Sequence, residues 1–206
     1  ALSRMPDGIT FEAATAVPFG ATTALVFLRD KGRIQKGQRV LIYGASGSVG
    51  SAAVQLAKSF GAQVTAVCST EKVDRVKSVG ADDVIDYKKG DFTKEATLKY
   101  DLIFDAVGKT SFAQCRSILA KDGTYITLAL SLPIIFQTVW TTLFGKQRVI
   151  GTVVSGSAQD MQLLKTHIEA GKFNPVVDRA YPMTQIAEAH RYVDNGRKWG
   201  NVVVTF

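Results

Sequence analysis

Gly44-Ala45-Ser46-Gly47-Ser48-Val49-Gly50 stands between an apolar run, residues 39–43, and a stretch in which Val49, Ala52, Ala53, Leu56 and Ala57 recur at helical spacing. A strand that turns on glycines into a helix is the context in which such a loop holds phosphate. Gly44 and Gly47 let the backbone turn tightly and approach a pyrophosphate, and Gly50 lets the helix pack on the strand. The helix N-terminus adds unpaired N–H groups and the positive end of its dipole. Ala45 stands where the first glycine of the commonest form would be, so the loop is a variant of that fingerprint. The helix reads as residues 49–60, with Gly61 ending it as a residue free to take positive φ.

Working outward, short apolar runs alternate with helical patterns at residues 39–43, 63–68, 83–86, 100–107, 124–129 and 148–154. Six such strands predict an α/β, doubly wound, Rossmann-type parallel sheet. A helix over residues 13–29 precedes the sheet, and Lys36-Gly37-Gln38 turns into its first strand. Beyond the sixth strand the pattern changes to helices at 160–170 and 184–195, a strand-like stretch bracketed by Pro175 and Pro182, and a last strand at 201–206. The expected organisation is a nucleotide-binding domain over residues 1–156 and a C-terminal extension over 157–206.

In this fold the choice between dinucleotides is made at the end of the second strand, where a carboxylate would hold the ribose hydroxyls of NAD. Val67-Cys68-Ser69-Thr70 carries none. Ser69 and Thr70 offer hydroxyls, while Lys72 and Arg75 lie within a helical turn to meet a 2′-phosphate. NADPH is the expected cofactor. Glu71 argues the other way, because its carboxylate could reach a ribose, and it keeps NADH as the alternative. Ser69 or Thr70 would equally serve to cap the helix that follows.

Composition narrows the function classes. Charged residues make up 21% and hydrophobic ones 46%, as in a globular protein. The net charge of +7 is spread along the chain with no interleaved aromatics, so no nucleic-acid partner is expected. The longest apolar stretch, residues 128–143, is broken by Ser131, Pro133, Gln137 and three threonines and is too short to span a bilayer, so no membrane partner is expected either. Residues 1–15 lack the apolar core of a signal segment, and Cys68 and Cys115 read as buried thiols of a reducing compartment, which together suggest the cytoplasm. His167 and His190 lie far from any thiol or carboxylate cluster, so neither is read as a metal ligand.

The loop followed by Ala53-Val54-Gln55-Leu56-Ala57-Lys58 is joined by further motifs: residues 79–87 (VGADDVIDY), Asp105-Ala106-Val107-Gly108, residues 186–193 (IAEAHRYV) and residues 200–204 (GNVVV). Together these resemble the quinone-oxidoreductase branch of the medium-chain dehydrogenase/reductases, over nearly the whole chain. The resemblance implies a hydride donor bound between this domain and a substrate domain. Most of that second domain would precede residue 1, and residues 157–206 would complete it. It implies that Thr23 hydrogen-bonds the carboxamide and that Tyr87 lies over the adenosine phosphate or ring. Val107 and Gly108 would enter the cleft, and Leu128 and Ala129 would face the nicotinamide. For the apolar positions, plain strand-end packing is the competing reading. Asn201 stands where a lysine is frequent, which puts a charge contact from the tail in doubt.

Matching Thr23 to the threonine of the zinc-dependent alcohol dehydrogenases places Phe19 at a metal-ligand position, and a phenyl ring cannot bind zinc. The expected activity is therefore zinc-independent reduction of quinones, enones or related carbonyl compounds. Two alternatives stay open: a zinc-dependent alcohol dehydrogenase whose ligands lie upstream, and an NADPH-binding sensor without catalysis. No catalytic acid or nucleophile is apparent, as expected where the cofactor carries the chemistry. A homodimer is expected through residues 148–154, aided by apolar residues 133–144, because that edge run has no proline and no charge after Arg148.

Overall fold

The structure, a computed structural model, describes residues 3–206; Ala1 and Leu2, at the head of the expected first domain, lie outside the described residues. A long helix, α1 (Phe11–Lys31), leads into β1 (Arg39–Tyr43). Then follow α2 (Ser48–Ser59), β2 (Gln63–Cys68), a short 3₁₀ turn at Thr70–Lys72, α3 (Val73–Ser78) and β3 (Asp83–Asp86). The second half runs α4 (Phe92–Glu95), β4 (Tyr100–Asp105), α5 (Phe112–Cys115), β5 (Leu119–Thr127), α6 (Leu132–Phe144) and β6 (Arg148–Gly151). The six strands are parallel in the order β3-β2-β1-β4-β5-β6. This is the doubly wound order, and its direction of winding reverses between β1 and β4, where a crevice opens at the carboxyl ends of the strands.

Burial explains the strand composition. Val40, Leu41, Ile42, Leu102, Ile103, Phe104, Tyr125 and Ile126 are almost wholly covered, as befits central strands sandwiched between helices. Phe27 of α1 stacks on Phe104 with ring centroids 5.5 Å apart, which pins the leading helix to one face of the sheet. Helix α1 is long and apolar enough to cross a bilayer by length and composition alone. Its Ala24, Leu25, Phe27 and Leu28 are instead spent on the core. Two of its turns, Val17–Ala21 and Phe27–Lys31, widen to π-helical geometry.

Several boundaries differ from the sequence reading. β4 stops at Asp105, short of 107, because the Asp105 side chain there gathers the backbone of the following loop. β5 begins at Leu119, five residues before the expected start, and ends at Thr127; the irregular register between Tyr100 and Leu102 accommodates the extra residues. β6 ends at Gly151, not 154. The apolar stretch after Leu130 is a helix, α6, which lies along β6. Thr141 Oγ1 of α6 accepts the Val149 N–H at 3.0 Å, so the edge strand is partly covered within the chain.

The C-terminal segment forms α7 (Ala158–Glu169), β7 (Val177–Pro182), α8 (Ile186–Asp194) and β8 (Asn201–Thr205), with β7 and β8 paired in parallel. Ser157 and Asp160 make a reciprocal capping box at the start of α7. Asp160 also holds Arg29 of α1 at 2.7 Å. Leu164, Ile168, Phe173 and Trp199 join the core beneath α1 and α2.

Candidate nucleotide-binding site

The loop between β1 and α2 is built by its glycines. Gly44 adopts φ +75°, and a side chain there would drive into Val107, 2.1 Å from its Cγ2. A Cβ on Gly50 would meet the Gly44 carbonyl oxygen at 2.1 Å, so helix and strand approach too closely for any side chain. Gly47 is different. Its φ is −82° and a Cβ there has only the Gly44 oxygen within 4 Å, at 3.6 Å, so the space before it is open. Helix α2 begins with no side-chain cap, leaving the N–H groups of its first turn without a side-chain acceptor. Open space before an uncapped helix N-terminus, at a topological switch point, fits a pyrophosphate.

The other positions gather around this crevice. Ala45 is wholly buried, its N–H bonded to the Val67 carbonyl, while Ser46, Gly47 and Ser48 are half-exposed. The Val49 side chain is buried, while its N–H belongs to the first turn of α2. Val107 is half-exposed over Gly44, and Gly108, at φ +77°, lies against Ala129. Leu128 and Ala129 are half-buried just beyond β5. The Ala129 N–H donates to Thr127 Oγ1, and Leu128 N–H donates to the Asp105 carbonyl. Thr23 is half-buried on α1, which packs against α2. Tyr87 is half-exposed at the end of β3, its ring 6.1 Å from that of Tyr43. The structure thus brings Gly44, Val107, Gly108 and Ala129 into one rim, with Tyr87 on the far side of β2.

Two features were not read from the sequence. Asp105, fully buried, accepts the N–H groups of Val107 and Gly108 on Oδ1, and the Thr110 N–H and hydroxyl on Oδ2. It therefore shapes the turn that presents Val107 and Gly108. The Asp105-Ala106-Val107-Gly108 motif carried the signal, since aspartate before a small-residue turn favours such bonds. The second feature is the tail. Gly200 donates to the Ser46 carbonyl at 2.9 Å, and the Ser48 hydroxyl donates to Asn201 Oδ1. Asn201 in turn reaches the Val176 carbonyl at 2.9 Å. The Asn201 amide thus helps to clamp the tail to the glycine loop.

At the end of β2 the side chains depart from expectation. Ser69 is buried and Thr70 exposed. Lys72 is buried, and its ammonium donates to the Arg197 carbonyl in the tail. Burial, with Arg75 nearby, pulls its pKa below the usual lysine value. Arg75 sits 3.6 Å from Asp178. Burial alone would raise the Asp178 carboxyl, but the Tyr192 hydroxyl and Trp199 N–H, helped by Lys72 and Arg75, hold it low. Burial also pushes the Cys68 and Cys115 thiols up to about 11, which makes them unreactive. Among the described residues no three His, Cys, Asp or Glu side chains gather as a metal site, and Phe19 is 73% exposed.

Comparison with known proteins places this geometry. A family model described as zinc-binding dehydrogenase matches residues 79–204. The chain is 32% identical to NAD(P)H oxidoreductase RTN4IP1, mitochondrial, of Bos taurus, over 98% of its own length and 58% of that protein. It is likewise 32% identical to 2-methylene-furan-3-one reductase of Solanum lycopersicum, over 97% of its length and 48% of the relative. The chain thus spans about half the length of the curated relatives it matches. A quinone oxidoreductase structure from Coxiella burnetii superposes with a TM-score of 0.88 at 22% identity, covering 99% of this chain and 63% of that one, which speaks for the fold alone. The JamJ enoyl reductase superposes with a TM-score of 0.85 at 26% identity, covering 99% of this chain and 65% of that one. With the family match extending over more than half of its residues, the chain belongs to the zinc-binding dehydrogenase family.

Proposed function

We propose that this chain is the nucleotide-binding part of a zinc-independent, NADPH-preferring oxidoreductase acting on quinones, enones or related carbonyl compounds. The observation that carries the reading is the open space before Gly47 at the uncapped start of α2. The relatives' names favour the same chemistry: one is a 2-methylene-furan-3-one reductase, and another, from Arabidopsis thaliana, an NADPH-dependent alkenal/one oxidoreductase.

The bound nicotinamide would supply the hydride. The chain's own residues bind and orient it. N–H groups at the start of α2 receive the pyrophosphate, and Val107, Gly108, Leu128 and Ala129 line the way to the nicotinamide. Thr23 offers a hydroxyl to the carboxamide. Asp105 keeps the Val107–Gly108 turn in place. Residues 157–206 complete a substrate domain in the whole protein, and two copies associate through the β6 edge and the exposed face of α6, where Leu132, Phe136, Trp140 and Leu143 stand out to solvent.

Turnover by the full-length protein tests this. Oxidation of NADPH in the presence of a panel of quinones and enones, unaffected by metal chelators, is the expected result. Cofactor binding without turnover of any of them would favour the sensor reading, and turnover of alcohols that chelators abolish would favour a zinc enzyme.

A further inference from the structure

Beyond β2 and β3 the two strand ends lie side by side. Cys68 is in register with Asp86, and the Tyr87 N–H donates to the Cys68 carbonyl at 3.1 Å. Ser69, Thr70 and Glu71 therefore face Tyr87 and Lys88 across the end of the crevice where the adenosine half of a dinucleotide lies. Asp86 fixes the turn that presents Lys88, accepting the Lys88 N–H on Oδ1 at 3.0 Å. The Lys88 ammonium straddles the Glu71 carboxylate at 3.0 and 3.2 Å. Both side chains are about half exposed. The group's own backbone N–H and then Lys88 hold the Glu71 carboxyl below its usual range.

The cations nearby differ in what holds them. Lys72 is buried against the Arg197 carbonyl, and Arg75, itself about half exposed, lies 3.6 Å from the Asp178 carboxylate, which also accepts from Tyr192 and Trp199. Withdrawing Lys72 would take a buried ammonium from its acceptor, and Arg75 would have to leave an opposite charge. The Glu71–Lys88 pair is exposed, and such pairs contribute only about 0–1 kcal/mol. A phosphate monoester carries roughly −1.5 to −2 charges at neutral pH and outcompetes one carboxylate for an ammonium.

We propose that Lys88 is the cation that reads the 2′-phosphate, leaving Glu71 to do so, and that the Glu71–Lys88 pair sets the preference between NADPH and NADH. This rests on the reading that the glycine loop holds a nicotinamide dinucleotide. Glu71 acts as an internal competitor: it masks Lys88 when no 2′-phosphate is present and repels the phosphate that displaces it.

The test is titration of the chain with NADPH and with NADH, following nicotinamide fluorescence, in wild type, Lys88→Gln, Glu71→Gln and the double variant. Both residues are on the surface, and matching thermal unfolding checks that the variants fold. Lys88→Gln should weaken NADPH about tenfold, equivalent to about 1.4 kcal/mol, and leave NADH unchanged. Glu71→Gln should tighten NADPH by roughly threefold, and adding Lys88→Gln should remove that gain. Variants that bind both nucleotides with the wild-type ratio would overturn this proposal alone, as would a ratio that Lys72→Ala changes and Lys88→Gln does not. Wild-type protein that binds neither nucleotide would overturn it together with the dinucleotide reading.

Discussion

Replacing Gly47 by valine separates the fold from the ligand at a single position. The backbone there has φ −82° and ψ 179°, which any residue adopts, and a Cβ finds only the Gly44 oxygen at 3.6 Å. The protein's loss is a poorer helix N-cap, worth about 1 kcal/mol, or a fall in melting temperature of roughly 2–4 °C for a chain of this size. The ligand's loss is larger, because the branched side chain stands where the pyrophosphate must lie. Forfeiting two charge-assisted bonds at about 1.5 kcal/mol each amounts to about 3 kcal/mol, a weakening of NADPH of more than about a hundredfold. Gly50→Ala is the contrasting control. Its Cβ would meet backbone oxygen at 2.1 Å, so that variant should lose stability first. Circular dichroism melts and fluorescence titration of both variants report the two losses separately. A well-folded Gly47→Val protein with wild-type affinity would refute the placement of the pyrophosphate.

Asp105→Ala removes the acceptor for four donors in the Val107–Thr110 turn and should cost on the order of 3 kcal/mol, read as a lower melting temperature with weakened cofactor binding; an unchanged melt would refute its organising role. At Asp160, burial alone would raise the carboxyl, but the Ser157 backbone and hydroxyl, with Arg29, hold it below its ordinary value. Its contribution to stability is therefore full above the unfolded value, near pH 4, and is lost as the pH falls through the lowered folded value. Asp160→Asn should flatten the acid limb of a stability–pH profile, and an unaltered limb would contradict this. Val153, 77% exposed beyond β6, lies at the proposed contact between copies. Sedimentation should show a dimer that Val153→Lys weakens, whereas a monomeric wild type or an unaffected variant would rule that interface out.

Local chemistry made most of the sheet legible. β1, β2 and β3 begin and end where their apolar runs do, because turn residues bound them on both sides. The glycine loop was readable for the same reason. Helix α6 was not, because Thr138, Thr141 and Thr142 and the apolar run around them suit a strand as well as a helix. Ser131 before Leu132-Pro133 was the available signal, a cap-type residue followed by proline in the first turn. The burial of Lys72 was hidden for a different reason. Its partner, the Arg197 carbonyl, lies 125 residues along the chain, and only the folded tail brings it near. The same tail lays Gly200 and Asn201 on the glycine loop, a contact that no local pattern encodes.

The proposed function requires that the loop from Gly44 to Gly50 receive a nicotinamide dinucleotide. Amide chemical shifts of the isotopically labelled chain, followed while NADPH is added, test it residue by residue. The largest saturable shifts should fall on Ser46 to Gly50, with Val107, Gly108 and the Ser69–Lys88 end of the crevice following at the same half-saturation. Shifts confined to other surfaces, or none at all in a folded protein, would contradict it.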